Sequence, residues 1–549
     1  MKRRIVFGIL ALLAVLGAIA WIKRVDLFVW LASFAAKQED LPDYKPVTWQ
    51  EGPENPEAPI SARAPNIVLI LADDLGMNNI TAFGGGIEKG LVPTPNIDRI
   101  AAQGAEFTDG YAGDATCAPS RAALLTGRYP SRTGFEFTPS PRGTGRIVEM
   151  IQNANDKGQP RGYYNSAAAD RLPEMEDQGL PGSEVTLAEV LKGVGYHTVH
   201  IGKWHLGTRK DFAPNAQGFD ESLLQESGLH APEDAQGIVN AKLDFDPVDR
   251  MLWATMQFSG SFNGGPRFKP GGYLTDWWTD EAVKVIHANR NRPFFLYFAH
   301  WAPHSPLQAT QADYDAVGDI KPHRKRVYAA MVRALDRSVG RVLDALEKDG
   351  LDKNTIVLFS SDNGGAGYVG IDGLNNPYRG WKATFFEGGV RVPFFVRWPA
   401  RLTAGTKFDR PATFVDVLPT LAAAAGASLP KGVTIDGIDL LDPKSRRVDD
   451  AIFWQSGYYK SVRQGDWKLQ VNKRPDRSWL YNLAEDPTER VDLADKNPQK
   501  VAELKALIAK HDKGARTALY PFTLEMPIPV DKTGADHLEP GDEYVYWPN

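Results

Sequence analysis

The sequence predicts an α/β fold: a large, mainly parallel β-sheet flanked by helices, followed by a smaller antiparallel sheet packed with a helix. Three observations predict this arrangement. Apolar runs alternate with helical patterns over residues 65–440, each run ends in polar residues, and short strand-like runs replace this pattern over residues 441–549. The length of 549 residues and the hydrophobic fraction of 43% suit a large globular domain followed by a smaller one. The formal net charge of -5 does not indicate a nucleic-acid partner.

The large sheet is predicted from four short apolar runs that are bounded by turn residues. Runs of this length are typical of strands buried on both faces of a parallel sheet. The four runs are Asn66–Ala72, His197–Ile201, Pro293–Ala299 and Thr355–Phe359. Helical patterns lie between and around them, at Asp98–Gln103, Thr186–Gly193, Asp276–Asn289 and Arg324–Asp349.

The smaller sheet is predicted from a change in spacing after about Leu440. Turn residues such as Gln464 and Gly465 now separate short strand-like runs, which pair as antiparallel neighbours when the turns are tight. The predicted strands are Ile452–Trp454, Tyr458–Arg463, Trp467–Val471 and Trp479–Tyr481, and the predicted helix is Gln499–His511. Residues 441–549 are therefore predicted to form a C-terminal subdomain.

Residues 1–24 are predicted to direct export. Met1–Arg4 carries three positive charges, Ile5–Ile22 is apolar throughout, and two more basic residues follow. A signal anchor retained in the inner membrane and a removable signal peptide, cleaved after small residues such as Ala18 and Ala20, both fit this pattern, and we favour the anchor. Either one would place the chain in the periplasm or another extracytoplasmic space. Residues 25–64, whose later part is rich in Pro, Glu and Asp, are predicted to be a linker.

Side chains able to do chemistry follow each of the four predicted strands. In order they are Asp73 with Asp74, Lys203 with His205, His304, and Asp362 with Asn363. Any one of them alone would be an ordinary solvated loop residue. Because the carboxyl ends of parallel strands meet at one edge of a sheet, however, we expect all of them to lie together. Three carboxylates and an amide oxygen in one cleft require a cation, and all-oxygen ligands favour Ca²⁺ or Mg²⁺ over zinc.

The only cysteine, Cys117, opens a second group of residues. A lone cysteine forms no internal disulfide and is ordinarily a small buried core residue. Here Pro119, at a first helical position, and the helix formers after it predict a helix that begins beside Cys117 and ends at Gly127. Its N-terminus offers free backbone amides to an anion, and Arg121 lies one helical turn further along. A cysteine acting directly as the nucleophile is the simplest functional interpretation.

This segment resembles the type I sulfatases of the alkaline phosphatase superfamily. Cys117, Pro119, Ser120 and Arg121 match the C-x-P-S-R modification signature, which continues as the family does through Arg128. Five more segments are similar to family motifs: Ala72–Gly76 (ADDLG), Gly202–Gly207 (GKWHLG), Ala302–Pro306 (APHSP), Ser361–Gly365 (SDNGG) and Lys382–Pro393 (K-x-x-x-x-E-G-G-x-R-V-P). Leu480–Leu483 with Asp486, Pro487 and Glu489 resembles the C-terminal subdomain of the family.

The resemblance implies an alkaline phosphatase-like fold and two cofactors. Ca²⁺ would be bound by Asp73, Asp74, Asp362, Asn363 and residue 117. A maturation enzyme for exported proteins would oxidise Cys117 to formylglycine, which explains why the cysteine is solitary. One hydroxyl of the hydrated aldehyde would attack sulfur while Asp362 takes its proton.

The resemblance also implies roles for the basic residues. Arg121, Lys203 and Lys382 would neutralise the charge on the sulfate group. His304, together with Lys382, would protonate the leaving alkoxide, and His205 would deprotonate the second hydroxyl so that the aldehyde reforms and sulfate leaves. The protein is therefore expected to be an arylsulfatase-like sulfuric ester hydrolase that acts on a sulfated small molecule or carbohydrate.

Other functions stay open at this stage. A phosphomonoester or phosphonate hydrolase of the same superfamily would use Ser or Thr with zinc and extra histidines, whereas this chain has Cys117 and ten histidines that are not clustered with the carboxylates. A non-enzymatic calcium-binding or adhesion domain would have the carboxylates without the basic residues. The long segments Thr138–Glu184 and Gln225–Tyr273 are expected to build the rim of the pocket. His300 ends a strand but lies outside the family motif, and Arg128 is expected to brace the end of its helix.

Overall fold

The computed structural model describes residues 40–549, apart from residues 155, 156, 210 and 227, together with isolated positions before residue 40. The predicted export segment over residues 1–24 lies almost wholly outside these described residues and stays a prediction. Within the part of the chain that is described, no helix is long and apolar enough to span a membrane. In the predicted linker, residues 40–59 contain neither helix nor strand.

Nine strands form the central sheet, and the four predicted strands are consecutive neighbours at its middle. From edge to edge the strands are Thr406–Phe408, Ala105–Phe107, Phe394–Arg397, Thr355–Ser361, Asn66–Ala72, Phe294–Ala299, His197–Gly202, Glu221–Gln225 and Gly260–Phe262. The five strands from Thr355–Ser361 to Glu221–Gln225 run parallel, and antiparallel strands flank them on both sides. The predicted mainly parallel sheet is therefore confirmed.

Helices cover both faces of this sheet. Successive residues of a strand point to opposite sides, so each buried strand contributes side chains to two cores. In the first predicted strand, Val68 and Ile70 pack into one core, whereas Ile67, Leu69 and Leu71 pack into the other. The first core includes residues of the helices Pro95–Ala102, Leu274–Ala288 and His323–Lys348, and the second includes residues of Cys117–Thr126, Leu187–Lys192 and Val417–Ala424.

The predicted helices are present, with their ends displaced by one to three residues. The first of them begins at Pro95 rather than Asp98, because the fixed φ of proline suits the first turn of a helix. Shorter α-helices lie at Ile87–Gly90, Pro130–Thr133, Thr144–Ala154, Ser166–Ala169, Pro247–Thr255, Gln311–Ala316 and Glu387–Val390. Single 3₁₀ turns lie at Ile60–Ala62, Met77–Asn79, Met175–Asp177, Pro214–Gln217, Asp352–Asn354, Gly367–Val369, Phe414–Asp416 and Val448–Asp450.

The C-terminal part forms the predicted antiparallel sheet with one helix packed on it. Its strands pair in chain order as Ala451–Ser456, Tyr459–Gln464, Trp467–Lys473 and Asp476–Asn482. Leu504 and Ile508 of the helix Pro498–Asp512 share a core with Val462, Leu469 and Leu480 of the sheet. This part of the fold prediction is confirmed, whereas the domain limits at residues 64 and 440 stay predictions.

Three further small sheets were not predicted. Leu524–Pro529 lies between Tyr544–Pro548 and Tyr163–Tyr164 in an antiparallel sheet of three strands. The strand Leu524–Pro529 contains Pro527 and Pro529, and proline is uncommon inside strands, so its sequence does not suggest one. Two pairs complete the fold, Ile238–Ala241 with Leu307–Thr310 and Gly110–Tyr111 with Ala412–Thr413.

A buried ionic cluster joins the C-terminal sheet to the large domain. Nζ of Lys468 lies 2.7 Å from Glu387 and 3.1 Å from Glu489, and the side chains of all three residues are 0% exposed. Glu387 follows Lys382 by five residues. The cluster therefore also supports the segment that carries Lys382, a predicted site residue.

Replacing Lys468 by methionine is expected to lower the free energy of unfolding by about 3–5 kcal/mol, because two buried carboxylates would lose their cation. The matched control is Lys460→Met on the neighbouring strand, whose partner Asp512 lies 2.7 Å away and is partly exposed. The control is expected to cost less than about 1 kcal/mol. Denaturant unfolding measures both values, and equal losses would contradict the assigned role of Lys468.

Candidate active site

The acidic residues predicted to bind a cation lie together at the carboxyl edge of the sheet. Asp73 and Asp74 follow one central strand and Asp362 and Asn363 follow its neighbour, and the two strands end level with each other. The backbone N–H of Asp74 donates to Oδ1 of Asp362 at 3.3 Å. Nδ2 of Asn363 donates to Oδ1 of Asp74 at 2.7 Å. The structure therefore brings together residues that are almost 300 positions apart in the chain.

Cys117 lies directly beside these carboxylates. It is the first residue of the helix Cys117–Thr126, which is buried along its whole length and ends at Gly127 in the left-handed conformation. Pro119 is the third residue of this helix rather than the first, a position in the first turn that proline also tolerates. Sγ of Cys117 lies 3.4 Å from Oδ1 of Asp73 and 3.9 Å from Oδ1 of Asp74.

The three predicted cationic residues pair with the three carboxylates. Arg121 donates to Oδ2 of Asp362 at 2.9 Å and to Oδ2 of Asp73 at 3.2 Å. Nζ of Lys203 lies 2.5 Å from Oδ2 of Asp73. Nζ of Lys382 lies 2.7 Å from Oδ1 of Asp74 and 3.1 Å from Sγ of Cys117. Three acidic and three basic side chains thus share one buried site.

The two predicted histidines complete the cluster. Nε2 of His304 lies 3.3 Å from Nζ of Lys382 and 3.5 Å from Oδ2 of Asp74. Its Nδ1 faces the backbone oxygen of Ser305 at 2.5 Å, so Nδ1 carries the hydrogen and Nε2 is the free acceptor. His205 lines the same cavity, and its Nδ1 is buried without a partner among the described residues.

Burial and neighbouring charges shift the pKa values of these groups. Burial lowers the pKa of His304 to about 3, against the opposing effect of Asp74. Burial, together with Lys203 and Arg121, holds the pKa of His205 well below its ordinary value. Both rings are therefore neutral bases at neutral pH.

The pKa values of Asp74, Asp362 and Lys382 shift in directions set by burial and by their charged neighbours. Burial alone would raise the pKa of Asp74, but Lys382 and His304 lower it far below the ordinary value. Burial opposes the charge on Lys382, but Asp74 raises the pKa of this lysine well above its ordinary value. Burial and then Asp73 raise the pKa of Asp362.

The arrangement fits a hard cation. Ligand atoms of Asp73, Asp74, Cys117 and His304 lie within 4.8 Å of one another. The side-chain oxygen of Asn363 is buried and accepts no hydrogen bond from any described residue, and a buried acceptor in this state is normally satisfied by water or an ion. Carboxylate and amide oxygens are the ligands that Ca²⁺ prefers.

Two aromatic residues of the site were missed in the sequence. The hydroxyl of Tyr368 donates to Oδ2 of Asp74 at 2.8 Å and lies 3.4 Å from Nε2 of His304. The ring of Trp301 stacks on His304 at 4.1 Å and lies 4.5 Å below Nζ of Lys203. Trp301 directly precedes the APHSP segment, which is a usable signal, whereas nothing in the sequence distinguishes Tyr368 from other loop tyrosines.

Three residues in or beside the site have a strained backbone conformation. Asp74, His205 and Ala383 have φ values of 60°, 62° and 67°, a left-handed conformation that costs energy for residues other than glycine. Such strain concentrates at functional sites, where the surrounding structure holds a side chain in a required direction.

Three other basic residues, Arg128, Arg142 and His300, have structural or surface positions. Arg128 pairs with Glu184, as expected of a residue that braces the helix end. Arg142 pairs with Glu174 at the surface, 2.9 Å away. His300 lies in the core, with its Nε2 3.2 Å from Oγ of Ser338.

His300 is expected to make the fold acid-sensitive. Burial lowers its pKa to about 3 from an ordinary 6.5. Below pH 6.5 the unfolded chain takes up a proton that the folded ring refuses, so this contribution to stability is lost as the pH falls from 6.5 toward 3. His300→Gln should therefore flatten the dependence of the unfolding free energy on pH by about 1.4 kcal/mol per unit between about pH 6 and about pH 4. An unchanged slope in denaturant titrations would contradict this prediction.

Comparisons with known proteins agree with this geometry. The sulfatase family model matches residues 65–427. N-acetylgalactosamine-6-sulfatase of Mus musculus is 35% identical over 418 residues, which cover 74% of this chain and 72% of the mouse protein. Arylsulfatase J of Mus musculus is 30% identical over 528 residues, which cover 85% of this chain and 79% of that protein. The crystal structure of Ps i-CgsB in complex with k-i-k-neocarrahexaose has a TM-score of 0.68 and 30% identity, covering 83% of this chain and 95% of its own. This chain therefore belongs to the sulfatase family and is a sulfuric ester hydrolase.

Proposed function

We propose that this sulfatase cleaves sulfate monoesters to an alcohol and inorganic sulfate by means of a formylglycine made from Cys117 and a bound Ca²⁺. The observation that carries the proposal is the surroundings of the thiol. Sγ of Cys117 lies 3.4 Å from a carboxylate oxygen of Asp73 and 3.1 Å from Nζ of Lys382, inside a buried cluster of charged strand ends.

An unmodified thiol suits this position poorly. Burial raises the pKa of Cys117 above its ordinary value, and the negative charges of Asp362 and Asp73 raise it further. Because the thiolate is the reactive form, direct attack by Cys117 is disfavoured. A hydrated aldehyde would instead supply oxygen atoms, which match the carboxylate-rich surroundings. The surroundings of residue 117 therefore favour a hydrated formylglycine over a thiol, which supports oxidation of Cys117 by a maturation enzyme for exported proteins.

The proposed ligands of Ca²⁺ are Asp73, Asp74, Asp362, Asn363 and the oxidised residue 117. The unpartnered oxygen of Asn363 and the three carboxylates supply the donor atoms that this ion prefers. When bound, the ion would polarise the sulfate group and lower the pKa of the nucleophilic hydroxyl.

Three cations are proposed to hold the sulfate group. Lys203 and Lys382 reach the carboxylate cluster from different loops, and the amides at the start of the Cys117–Thr126 helix lie beside them. Arg121 is fully buried and tied to Asp362, so it positions that carboxylate as well as contributing charge. Fixed cations in a buried site stabilise charge that develops during the reaction.

The proton transfers are assigned from the neutral and charged forms of the side chains. Asp362, whose pKa burial raises, is proposed to accept the proton of the attacking hydroxyl. Lys382 keeps its proton in this site and contacts Nε2 of His304 at 3.3 Å, so the two together are proposed to protonate the leaving alkoxide. His205 is a neutral imidazole with an unpartnered Nδ1. It is proposed to accept the proton of the second hydroxyl of residue 117, so that the aldehyde reforms and sulfate leaves.

The location of the protein and the class of its substrate are proposed from its N-terminus and from its relatives. The basic, apolar N-terminus supports export to the periplasm or another extracytoplasmic space, with a signal anchor as the favoured form. The names of the relatives describe enzymes for N-acetylgalactosamine-6-sulfate and aryl sulfates, and the Ps i-CgsB structure contains a neocarrahexaose. A sulfated small molecule or carbohydrate is therefore the proposed class of substrate.

The test is an assay of 4-nitrophenyl sulfate with protein produced beside a formylglycine-generating enzyme. We expect turnover that a chelator abolishes and added Ca²⁺ restores, while 4-nitrophenyl phosphate is a much poorer substrate. Preferential hydrolysis of the phosphate, or turnover that zinc alone restores, would overturn the proposal in favour of a phosphomonoester or phosphonate hydrolase. Calcium binding without any hydrolysis would favour a non-enzymatic role.

A further inference from the structure

We infer that the alcohol portion of the substrate is a compact apolar group, such as an alkyl, aryl or alicyclic group, rather than a sugar. This inference rests on the proposed function and specifies its substrate. It comes from the cavity above the catalytic cluster, which has a volume of about 470 Å³. Cavities of this size enclose one small molecule rather than a polymer segment.

Three segments distant in sequence line the outer part of this cavity with apolar side chains. Val148 comes from the helix Thr144–Ala154, Leu252 from the helix Pro247–Thr255, and Met526 and Ile528 from the proline-containing strand Leu524–Pro529. All four side chains are only half-buried, so part of their apolar surface stays open. A contiguous apolar surface beside reactive groups marks a binding site for an apolar ligand.

The aromatic residues continue the same surface down to the reactive end. Trp301 and Trp381 line the cavity next to His304 and Lys382, and Phe245 also lines it. An alcohol leaving from the sulfate end would therefore contact aromatic and aliphatic side chains in this cavity.

Several polar side chains of the cavity wall already have partners within the protein. Gln152 and Gln159 hydrogen-bond to each other. Lys532 donates to the backbone oxygen of His537 at 2.8 Å and pairs with Asp542 at 2.6 Å. Asp246 accepts backbone N–H groups of the helix that follows it, at 3.1 Å and 3.2 Å.

A sugar would need several new hydrogen bonds in this wall. Each hydroxyl that a sugar buries against apolar side chains loses its hydrogen bonds to water, which opposes binding. The lining residues with unpartnered buried polar atoms include Ser305 and Trp381, each adjacent in sequence to His304 or Lys382 at the sulfate end. No arginine of the described chain lines the cavity, so further sulfate groups of a sulfated glycan would lack that partner.

Primary alkyl sulfates of increasing length test the inference, because their leaving alcohols have similar reactivity. From ethyl to hexyl sulfate, kcat/KM is expected to rise roughly fourfold for each added methylene that the cavity buries. Galactose 6-sulfate, also a primary sulfate, is expected to be a poorer substrate than hexyl sulfate by at least about tenfold. A flat series with a faster galactose 6-sulfate would overturn the inference while leaving the proposed function intact. Hydrolysis of no sulfate ester at all would overturn both.

Variants locate the effect in the cavity wall. Leu252→Asn and Met526→Asn are each expected to lower the ratio of kcat/KM for hexyl sulfate to kcat/KM for ethyl sulfate by about tenfold. Leu252→Met should instead keep most of the wild-type kcat/KM for hexyl sulfate, because methionine preserves the volume and the apolar surface of leucine. This comparison separates a change in the polarity of the wall from misfolding. The control is Met251→Asn, a half-buried residue of the same helix that does not line the cavity. Equal losses for hexyl and ethyl sulfate in both wall variants would contradict the assignment.

Binding supplies a measurement that does not depend on turnover. Protein with Cys117→Ala, in buffer containing Ca²⁺, is expected to bind hexyl sulfate more tightly than ethyl sulfate in calorimetry, with a negative heat-capacity change that reports buried apolar surface. Equal affinities for the two alkyl sulfates would count against an apolar pocket.

Discussion

Replacing Cys117 by alanine is expected to lower kcat by about 10⁴-fold or more, because removal of an enzyme's nucleophile costs on this scale. The side chain lies between Asp73 and Lys382, and the methyl group of alanine offers no nucleophilic atom at that position. The measurement is the turnover of 4-nitrophenyl sulfate by wild-type and variant protein made with the same maturation enzyme.

Retained folding distinguishes loss of the nucleophile from collapse of the site. The Cys117→Ala protein is expected to keep its unfolding midpoint, because the helix Cys117–Thr126 is fixed by the burial of all its residues. A variant that keeps more than a few per cent of wild-type turnover would show that the nucleophile lies elsewhere.

Replacing Asp74 by asparagine is expected to lower kcat by about 10²–10³-fold and to raise the Ca²⁺ concentration needed for half-maximal activity. Its carboxylate accepts from Asn363, Tyr368 and Lys382 and is held in the charged form, so a neutral amide would disturb both the proposed ion site and the lysine. Activity measured against free Ca²⁺ gives both quantities.

The matched control is Asp114→Asn. Asp114 is a buried carboxyl three residues before Cys117, and burial raises its pKa well above the ordinary value, which favours its neutral form over the charged form held at Asp74. An amide of the same shape should therefore change activity and Ca²⁺ dependence little. Equal effects of the two substitutions would mean that Asp74 contributes through packing alone, and an unchanged Ca²⁺ dependence in Asp74→Asn would exclude it as a ligand.

The sequence predicts the inner part of the fold well because burial there leaves a simple pattern. The strands Asn66–Ala72 and Thr355–Ser361 are buried on both faces and appear as continuous apolar runs. Polar residues directly after such runs have few positions available, so Asp73 and Asp362 meet once the strands pair in parallel.

The outer wall of the cavity could not be predicted in the same way. Val148, Leu252 and Met526 belong to elements whose mutual arrangement depends on long-range packing, and the strand that carries Met526 contains two prolines. Tyr368 reaches Asp74 only because its loop folds back over the site, a contact that no local pattern signals. Long segments indicate where a rim will form, but their chemistry becomes visible only when they are assembled.

The most direct test of the account is mass spectrometry of the peptide that contains residue 117, from protein produced with and without a formylglycine-generating enzyme. We expect the matured sample to carry an aldehyde in place of the thiol, and we expect sulfate-ester turnover to rise in proportion to the aldehyde fraction. An intact thiol at residue 117 in fully active protein would contradict it.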